Sequence, residues 1–596
     1  MITIKTERPR EVNSWRAAAI LYGDLGTSKA YVLGLAFALA GYSSFWFILL
    51  VSILTLVVSL NYIEICKLYP NGGGVYTSAR NRSKVLALIG GFFIISDYIV
   101  TAALSAVSAF HYLGVSHPEY WAILSIAIIG LFNLVGPKYT GNLAIGIALP
   151  TVLCVVCLGA ISLPFLPQAF HNLTSMSGNI KVDWNIFVGI VVALSGIESI
   201  ANTTGSMKLD PDCTRANPSV VQTSTRAILM VVVEVCIFTA LLGLAMNALP
   251  GLEISNGDVN APNYPNVRDA MLRYMAETFG GNLFGVAFGH FFSLLITFVI
   301  TLLLLSAVNT ALVALISLLY IMSKDGEMPD VFQKLNTFGV PIYPTLAAFL
   351  LPIFVLLFIS DISGLASLYA IGFVGAIVVN LGTTSTNPAV NLNTWSRVFM
   401  FGTFILMLLI EITLFIDKPH ARTFVLTILG VGLLLRAFVA ERKEKIAAEA
   451  LEKVTWTKIP ENAKESTLLA VTGMNKSVDF AIEEAKKKNL PLYILFIREQ
   501  KVVTTTDQNR LWKEDNGASE VFKHVLSLAP QIPIEFLYNV TSHTAHSIVE
   551  IAKLKKVNKI IIGRKRRFSL LHFLRGTTAV ELANLMPNNI DLLVLY

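Results

Sequence analysis

Charge is scarce in this sequence. Only 14% of its 596 residues are Asp, Glu, Lys or Arg, whereas 54% are hydrophobic and the mean hydropathy is +0.64. A soluble protein of this length needs far more charge to cover its surface. The net charge of +7 is modest and fits cytoplasmic loops of a membrane protein. We therefore expect a bilayer and no nucleic acid as partner.

Several chemical signatures are also lacking. The five cysteines form no disulfide framework, and the C-x-x-C at Cys154 and Cys157 lies in an apolar stretch without further ligands. His290 is solitary, so no His–Cys cluster is available for a transition metal. The phosphate loop of ATP-driven pumps and the T-V-G-Y-G filter of potassium channels do not occur. The sequence predicts neither an enzyme nor a resident cofactor.

Apolar residues are instead grouped in long blocks. Because a span needs about 20 apolar residues, we place twelve spans: 14–41, 43–66, 85–114, 120–136, 141–165, 185–204, 223–249, 283–322, 341–360, 362–382, 396–416 and 420–440. The eighth run is long enough for one extended helix or a hairpin of two. Basic residues after even-numbered spans put both termini in the cytoplasm. We predict a transport domain at 1–440, a charged surface linker helix at 441–465 and a soluble α/β domain at 466–596.

Two spans carry polar interruptions. The first contains Tyr22–Ser28, with two glycines, Asp24 and two hydroxyls, and the sixth contains Ser195–Gly205, with Glu198. These positions match if spans 1–5 and 6–10 are inverted repeats, and paired interruptions indicate a substrate site at the bilayer midplane. Freed carbonyls together with Asp24 could replace the water shell of a cation.

Further oxygen donors occur in other spans. In the third span, four polar residues share one helix face because they are spaced by four, four and three: Asp97, Thr101, Ser105 and Ser108. Such a stripe indicates either helix packing or a polar cavity, and its buried acid favours the cavity. Tyr369 could add another oxygen, whereas Glu234 and Glu411 could be functional or structural. Oxygen ligands with few formal charges suit a monovalent hard cation.

The motifs resemble a known family. Pro70–Tyr76 is similar to the P-x-x-G-G-x-Y signature of the amino acid–polyamine–organocation superfamily, and Tyr22–Tyr31 resembles the first-helix motif Y-G-D-[IL]-G-T-S-x-x-Y of KUP-type potassium transporters. With its soluble tail, the whole chain looks like the KimA branch of that family. This resemblance implies a LeuT-type 5+5 inverted-repeat fold and a homodimer in the bacterial cell membrane. It also implies high-affinity potassium uptake by proton symport, inhibited by cyclic di-AMP.

The resemblance also implies individual roles. It gives potassium binding to the backbone at Gly23 and to six side chains, of which Asp24 and Tyr31 are direct metal ligands; the others are Thr101, Ser105, Ser195 and Tyr369. Glu198 becomes the main candidate for proton coupling, with Asp97 as a second buried acid. Ser195 replaces an expected threonine and keeps its hydroxyl.

The tail alternates strands and helices. Strands are predicted at Thr467–Val471, Leu492–Phe496, Ile534–Tyr538, Lys559–Ile562 and Asp591–Leu595, with helical patterns between them that indicate a parallel sheet covered on both faces. The segment after the fourth strand resembles the nucleotide loop of universal stress proteins, through Gly563, Arg566, Gly576 and Thr577. Arg566 replaces a glycine of that loop. This leaves open a bound cyclic di-AMP or adenine nucleotide, or a dimerisation module without ligand.

Three rival functions remain. An amino acid permease of the same superfamily would keep the first interruption uncharged, because Asp24 would repel a substrate carboxylate. A channel lacks its filter. A receptor that senses nucleotide without transport does not account for two polar interruptions inside the membrane. We favour the cation carrier.

Overall fold

The computed structural model describes residues 10–451 and 465–595 with internal gaps. These gaps are residues 73, 81, 136–139, 192–195, 212, 215–216, 256, 263–266, 337, 500–511, 513–514, 529–531, 542–543, 564–577 and 588–589. The described residues divide into two compact units, 10–437 and 438–595.

Helices make up most of the first unit, and the last of them continues past residue 437, where this unit ends. A helix satisfies its own backbone hydrogen bonds in an apolar medium, which favours helices here. In chain order they are α1 (Ser14–Leu25), α2 (Ser28–Ala40), α3 (Ser44–Leu68), α4 (Val75–Arg80), α5 (Lys84–Leu113), α6 (Pro118–Asn133), α7 (Thr140–Ser162), α8 (Leu166–Asn172), α9 (Ile180–Ile190), α10 (Ser199–Thr203), α11 (Val221–Ala245), α12 (Met271–Phe284), α13 (Val286–Lys324), α14 (Ile342–Phe358), α15 (Ile362–Ser385), α16 (Thr394–Asp417) and α17 (Pro419–Leu451).

Eight helical segments of the described chain are long and apolar enough to cross a membrane, and α6 and α14 are shorter apolar helices. The first segment, Ser14–Leu68, joins α1, α2 and α3. The predicted total of twelve spans and the inverted repeat stay predictions. The eighth apolar run is resolved as one helix of 39 residues, α13, so the hairpin alternative is wrong.

These helices differ in the share of their residues that is buried inside the unit. In the most apolar stretch of α5, 78% of residues are buried inside the unit, compared with 72% for α15 and 61% for α13. The corresponding share is 33% for α16 and 11% for α17. Helices α5, α15 and α13 therefore form the interior, and α16 and α17 lie at the periphery.

A small cap packs against α2. Two short antiparallel strands, β1 (Glu253–Ser255) and β2 (Asp258–Asn260), precede a 3-10 turn at Val267–Ala270. A Cβ at Gly34 would lie 1.9 Å from the carbonyl oxygen of Arg268, so only glycine permits this approach. Nearby, the Tyr112 hydroxyl donates to the carbonyl of Ala30 (2.7 Å).

The charged segment predicted as a separate linker helix starts inside α17. This helix runs without interruption from Pro419 to Leu451. The predicted linker helix at 441–465 begins as part of α17, because the helix continues through the change from apolar to charged sequence, and the predicted domain boundaries stay predictions. Residues 452–464 of the predicted linker lie outside the described residues.

The tail is a parallel α/β sheet, as predicted. Its strands are β3 (Thr467–Val471), β4 (Leu492–Glu499), β5 (Ile534–Thr541), β6 (Lys559–Gly563) and β7 (Asp591–Leu595), in the order β5-β4-β3-β6-β7. The helices are α18 (Lys476–Lys488), α19 (Asn516–Leu528), α20 (Thr544–Leu554) and α21 (Thr578–Leu585). Helices α18 and α19 share a hydrophobic core with one sheet face, and α20 and α21 share another with the opposite face.

Candidate functional site

The first helix is interrupted between α1 and α2, at Gly26 and Thr27. Both residues keep right-handed helical angles, with φ of −68° and −72°, so the interruption is narrow. The N–H of Thr27 donates to the carbonyl of Asp24 (3.2 Å), three residues back. A regular helix would direct that N–H to Gly23, four residues back. The carbonyl of Gly23 therefore loses its usual helical donor.

The second interruption, between α9 and α10, lies directly against the first. Gly196 has φ of +98°, a region that favours glycine. A Cβ there would lie 2.6 Å from the backbone nitrogen of Leu25 and 3.0 Å from the Asp24 carboxyl carbon. The two interruptions predicted from the sequence are thus in contact. Ser195, the predicted ligand beside this glycine, lies outside the described residues.

Three acidic side chains are buried around this contact. Asp24 is 6% exposed, and Asp97 and Glu198 are each 1% exposed. Their charges act on one another, which places all three in one cluster. In the described parts of the chain, however, no three acidic, His or Cys side chains converge closely enough to hold one metal ion together. Neutral oxygens must complete any ion site here.

Tyrosines surround the acidic cluster. Tyr369 of α15 is 1% exposed and lies within electrostatic range of Tyr31 and of all three acids. Tyr62 of α3 lies near Asp97 and Glu198. Helix α15 lies close to α5 at Gly372, which has no side chain. A Cβ at this position would be 2.9 Å from the backbone nitrogen of Asp97.

The polar stripe of α5 points into the same interior. The Thr101 hydroxyl donates to the Asp97 carbonyl (2.8 Å) and lies 3.3 Å from a carboxylate oxygen of the same residue. Ser105 and Ser108 are 2% and 0% exposed. The predicted potassium ligands among the described residues therefore lie on α1, α2, α5 and α15. Helices α1 and α5 carry acids of the cluster and α15 brings Tyr369 beside it, whereas Tyr31 of α2 lies near Tyr369.

Gly74, shortly after α3, contacts this region as well. A Cβ at Gly74 would be 1.8 Å from the Asn202 side-chain oxygen, so the backbone there packs directly on α10. Asn202 in turn donates to the Tyr98 hydroxyl (2.6 Å), and Tyr98 adjoins Asp97 in α5. Asn202 has no role predicted from the sequence, because its contacts depend on two distant segments.

A separate set of ion pairs lies at one end of the helical unit. Tyr76 and Arg80 of α4 both bind the carboxylate of Asp325, which follows α13, and the Tyr76 hydroxyl is 3.0 Å from it. Two residues later, Glu327 pairs with Arg436 of α17 (2.6 Å). The tyrosine of the P-x-x-G-G-x-Y motif thus anchors α4 to the segment after α13.

A lysine without a predicted role forms the most buried ion pair among the described residues. Lys29 is 1% exposed, and its Nζ lies 2.7 Å from both carboxylate oxygens of Glu234 in α11. The signal was present, because a lysine inside an apolar span is costly and requires a partner. Glu411, the other intramembrane acid, is 7% exposed on α16 and makes no hydrogen bond with the described residues.

In the tail, Gly563 ends β6 beside the loop that follows β3. A Cβ at Gly563 would lie 2.7 Å from the Asn475 amide nitrogen and 2.9 Å from the Ser477 hydroxyl oxygen. These strands are neighbours where the strand order reverses, which is where ligands bind in open α/β sheets. The other predicted nucleotide residues, Arg566, Gly576 and Thr577, lie outside the described residues.

The contact between the interruptions predicts a strict requirement for glycine at position 196. Gly196→Ala should lower the thermal stability of the detergent-solubilised protein, because the methyl group meets backbone atoms and crowding of this kind costs about 1–3 kcal/mol. Thermal midpoints from size-exclusion chromatography test this. Gly146→Ala is the matched control, since its Cβ would meet nothing within 4 Å. Equal midpoints for both variants would contradict the proposed contact.

Comparison with known proteins places the chain in a family. Residues 12–441 match the amino acid permease family model, and residues 470–591 match the universal stress protein family. Potassium transporter KimA of Bacillus subtilis (strain 168) is 25% identical over 555 residues, which cover 86% of this chain and 84% of that protein. This match confirms the resemblance to the KimA branch.

Shorter matches link the chain to Kup proteins, named low affinity potassium transport system proteins. That of Pectobacterium atrosepticum is 27% identical over 216 residues, 31% of this chain and 35% of that protein. That of Shigella flexneri serotype 5b is 31% identical over 186 residues, 27% and 30% of the two chains. The matched permease region is 72% of the sequence. The chain therefore belongs to the amino acid permease family, and its tail is a universal stress protein-like domain.

Proposed function

We propose that this protein takes up potassium across a bacterial cell membrane, in a twelve-span inverted-repeat frame with both termini in the cytoplasm. The observation that carries the proposal is the burial of Asp24 at a helix interruption, against a second interruption at Gly196. Carboxylate and carbonyl oxygens at such places can replace the hydration shell of an ion. The relatives KimA and Kup are named as potassium transporters.

The proposed ligands are the Gly23 carbonyl, which lacks its usual helical donor, and six side chains: Asp24, Tyr31, Thr101, Ser105, Ser195 and Tyr369. Hard oxygen ligands suit an alkali cation, and most of these are neutral. Because the donors other than Asp24 are neutral, they add no formal charge to that of the three acids in the cluster. We further propose high affinity, because such a buried ion would exchange its water for many protein oxygens at once.

An amino acid permease is the alternative, favoured by the description of the matching family. In this chain the carboxylate of Asp24 occupies the interruption at which an amino acid would present its own carboxylate. Two like charges in an apolar interior repel strongly. This argument favours potassium over an amino acid as substrate.

Removal of the Asp24 charge tests the proposed substrate. In a bacterium deficient in potassium uptake, the unmodified chain should restore growth at limiting potassium. Asp24→Asn should lower the initial uptake rate about tenfold to a hundredfold, since bonds to a charged group contribute about 1.5–3 kcal/mol. Asp330→Asn, an exposed position, is the control. Unchanged uptake by Asp24→Asn, or amino acid uptake by an unmodified chain that fails to restore growth, would refute the proposal.

We also propose that Glu198 couples potassium movement to protons, with Asp97 as its neighbour. Glu198 is 1% exposed, and no Lys, Arg or His among the described residues pairs with its carboxylate. A carboxylate in this position can bind a proton without breaking an ion pair. Because its charge acts on Asp24 and Asp97, its protonation changes the field at the proposed ion site.

Proteoliposomes that contain a pH-sensitive dye test this coupling. An inward potassium gradient should drive proton entry with the unmodified protein and with the exposed control Glu253→Gln. Glu198→Gln should lose the proton flux, yet its thermal midpoint should still rise with added potassium because the ion ligands remain. Persistent potassium-driven proton entry in Glu198→Gln would exclude this residue as the coupling site.

For the tail, we propose a homodimer that binds cyclic di-AMP or an adenine nucleotide beside Gly563 and thereby inhibits transport. Native mass spectrometry of the full-length protein measures the number of chains per complex and the bound nucleotide in one experiment. We expect two chains that bind added cyclic di-AMP or ATP. Gly563→Val should bind less because its side chain displaces Asn475 and Ser477, whereas the exposed control Glu550→Gln should bind normally. A single chain that binds neither nucleotide would contradict both proposals.

A further inference from the structure

Three buried side chains form a charged cluster outside the acidic site. The Lys29 ammonium contacts both Glu234 carboxylate oxygens at 2.7 Å and the Tyr22 hydroxyl at 3.2 Å. The Tyr22 hydroxyl lies 3.3 Å from Glu234, and Lys29 Nζ is 5.0 Å from the centre of the Tyr22 ring. Lys29 and Tyr22 are 1% and 3% exposed, and the Glu234 side chain is 13% exposed.

The cluster spans the first interruption. Tyr22 belongs to α1 and Lys29 to α2, so their hydrogen bond joins the helical segments on either side of Gly26 and Thr27. Glu234 belongs to α11 and binds both. Any change in angle between α1 and α2 must therefore stretch this contact or move α11 with it.

The cluster and the acidic site lie on different sides of the first helix. At 3.6 residues per turn, Asp24 is rotated by about 200° from Tyr22. Lys29, seven residues after Tyr22, returns to within about 20° of it. One side of this helix therefore carries Asp24, and the other carries the bonds to α11.

The small net contribution of buried ion pairs to stability indicates that this pair does more than hold the helices together. Well-packed apolar residues often stabilise a protein as well as a buried ion pair does, whereas removal of one partner leaves a costly unpaired charge. A buried pair is instead specific in geometry, because a charge-assisted contact to two oxygens fixes direction as well as distance. Because the pair lies beside the interruption, its fixed geometry restricts how α1 and α2 are oriented relative to α11.

We infer that Tyr22, Lys29 and Glu234 are positioning residues that clamp the interrupted first helix to α11 and so hold Asp24 in the ion site. This inference rests on the proposed potassium transport for its ligand. The clamp itself is a property of the helix and is measurable without any ion. The two aspects therefore have separate readouts.

The test compares two neutralised ion pairs in the full-length protein. Lys29→Met with Glu234→Gln removes the clamp and leaves no unpaired charge. The matched control, Arg436→Met with Glu327→Gln, removes the ion pair at the end of the same unit. Hydrogen–deuterium exchange of the peptide that covers residues 20–31 reports the clamp, and the potassium concentration at half-maximal thermal stabilisation reports the ion site.

We expect faster exchange in that peptide and about a tenfold rise in the potassium midpoint for the clamp variant, the effect of losing one charge-assisted contact. The control should leave both readouts unchanged. Unchanged exchange would overturn the clamp, and faster exchange with an unchanged midpoint would overturn the positioning role. If the unmodified protein does not respond to potassium, the proposed function fails, while the exchange data still decide on the clamp.

Tyr22→Phe covers the case in which the double variant does not fold. It removes only the hydroxyl that joins α1 to the Lys29–Glu234 pair and leaves both charges in place. We expect the same two readouts to shift in the same direction by a smaller factor. Exchange identical to that of the unmodified protein would overturn the inference.

Discussion

The close contact between the two interruptions organises the helical unit, residues 10–437. Gly196 adopts a backbone angle suited to glycine and rests on the backbone of Asp24 and Leu25, with no space for a side chain between them. Because neither segment continues as a regular helix there, polar backbone and carboxylate groups lie together in the apolar interior. The burial of Asp97, Glu198 and the surrounding tyrosines follows from this placement, since the helices that carry them pack around it.

The burial of the three acids could be predicted from their positions in apolar runs. A carboxylate inside an apolar run is costly, so the sequence pattern by itself indicates Asp24, Glu198 and Asp97. The strands of the tail were equally accessible, since buried parallel strands are short apolar runs bounded by polar turns. The structure extends three of them, β4, β5 and β6, beyond their predicted ends.

Individual side-chain partners in distant segments could not be predicted. Nothing near Lys29 in the sequence indicates Glu234, 205 positions away, as its partner. The approach of Gly74 to Asn202 likewise depends on how α10 lies beside the segment after α3. Helix ends are also difficult to predict from a change in polarity. Helix α17 continues past Glu441, because charged residues such as Glu and Lys are good helix formers.

The proposed function requires that an alkali ion binds at the meeting point of the two interruptions. Anomalous scattering from crystals of the protein grown with thallium ion, a potassium substitute, tests it directly. We expect a peak at ligand distance from the Asp24 carboxylate and beside the hydroxyls of Tyr31 and Tyr369. A well-occupied peak elsewhere in the unit, with none beside Asp24, would contradict it.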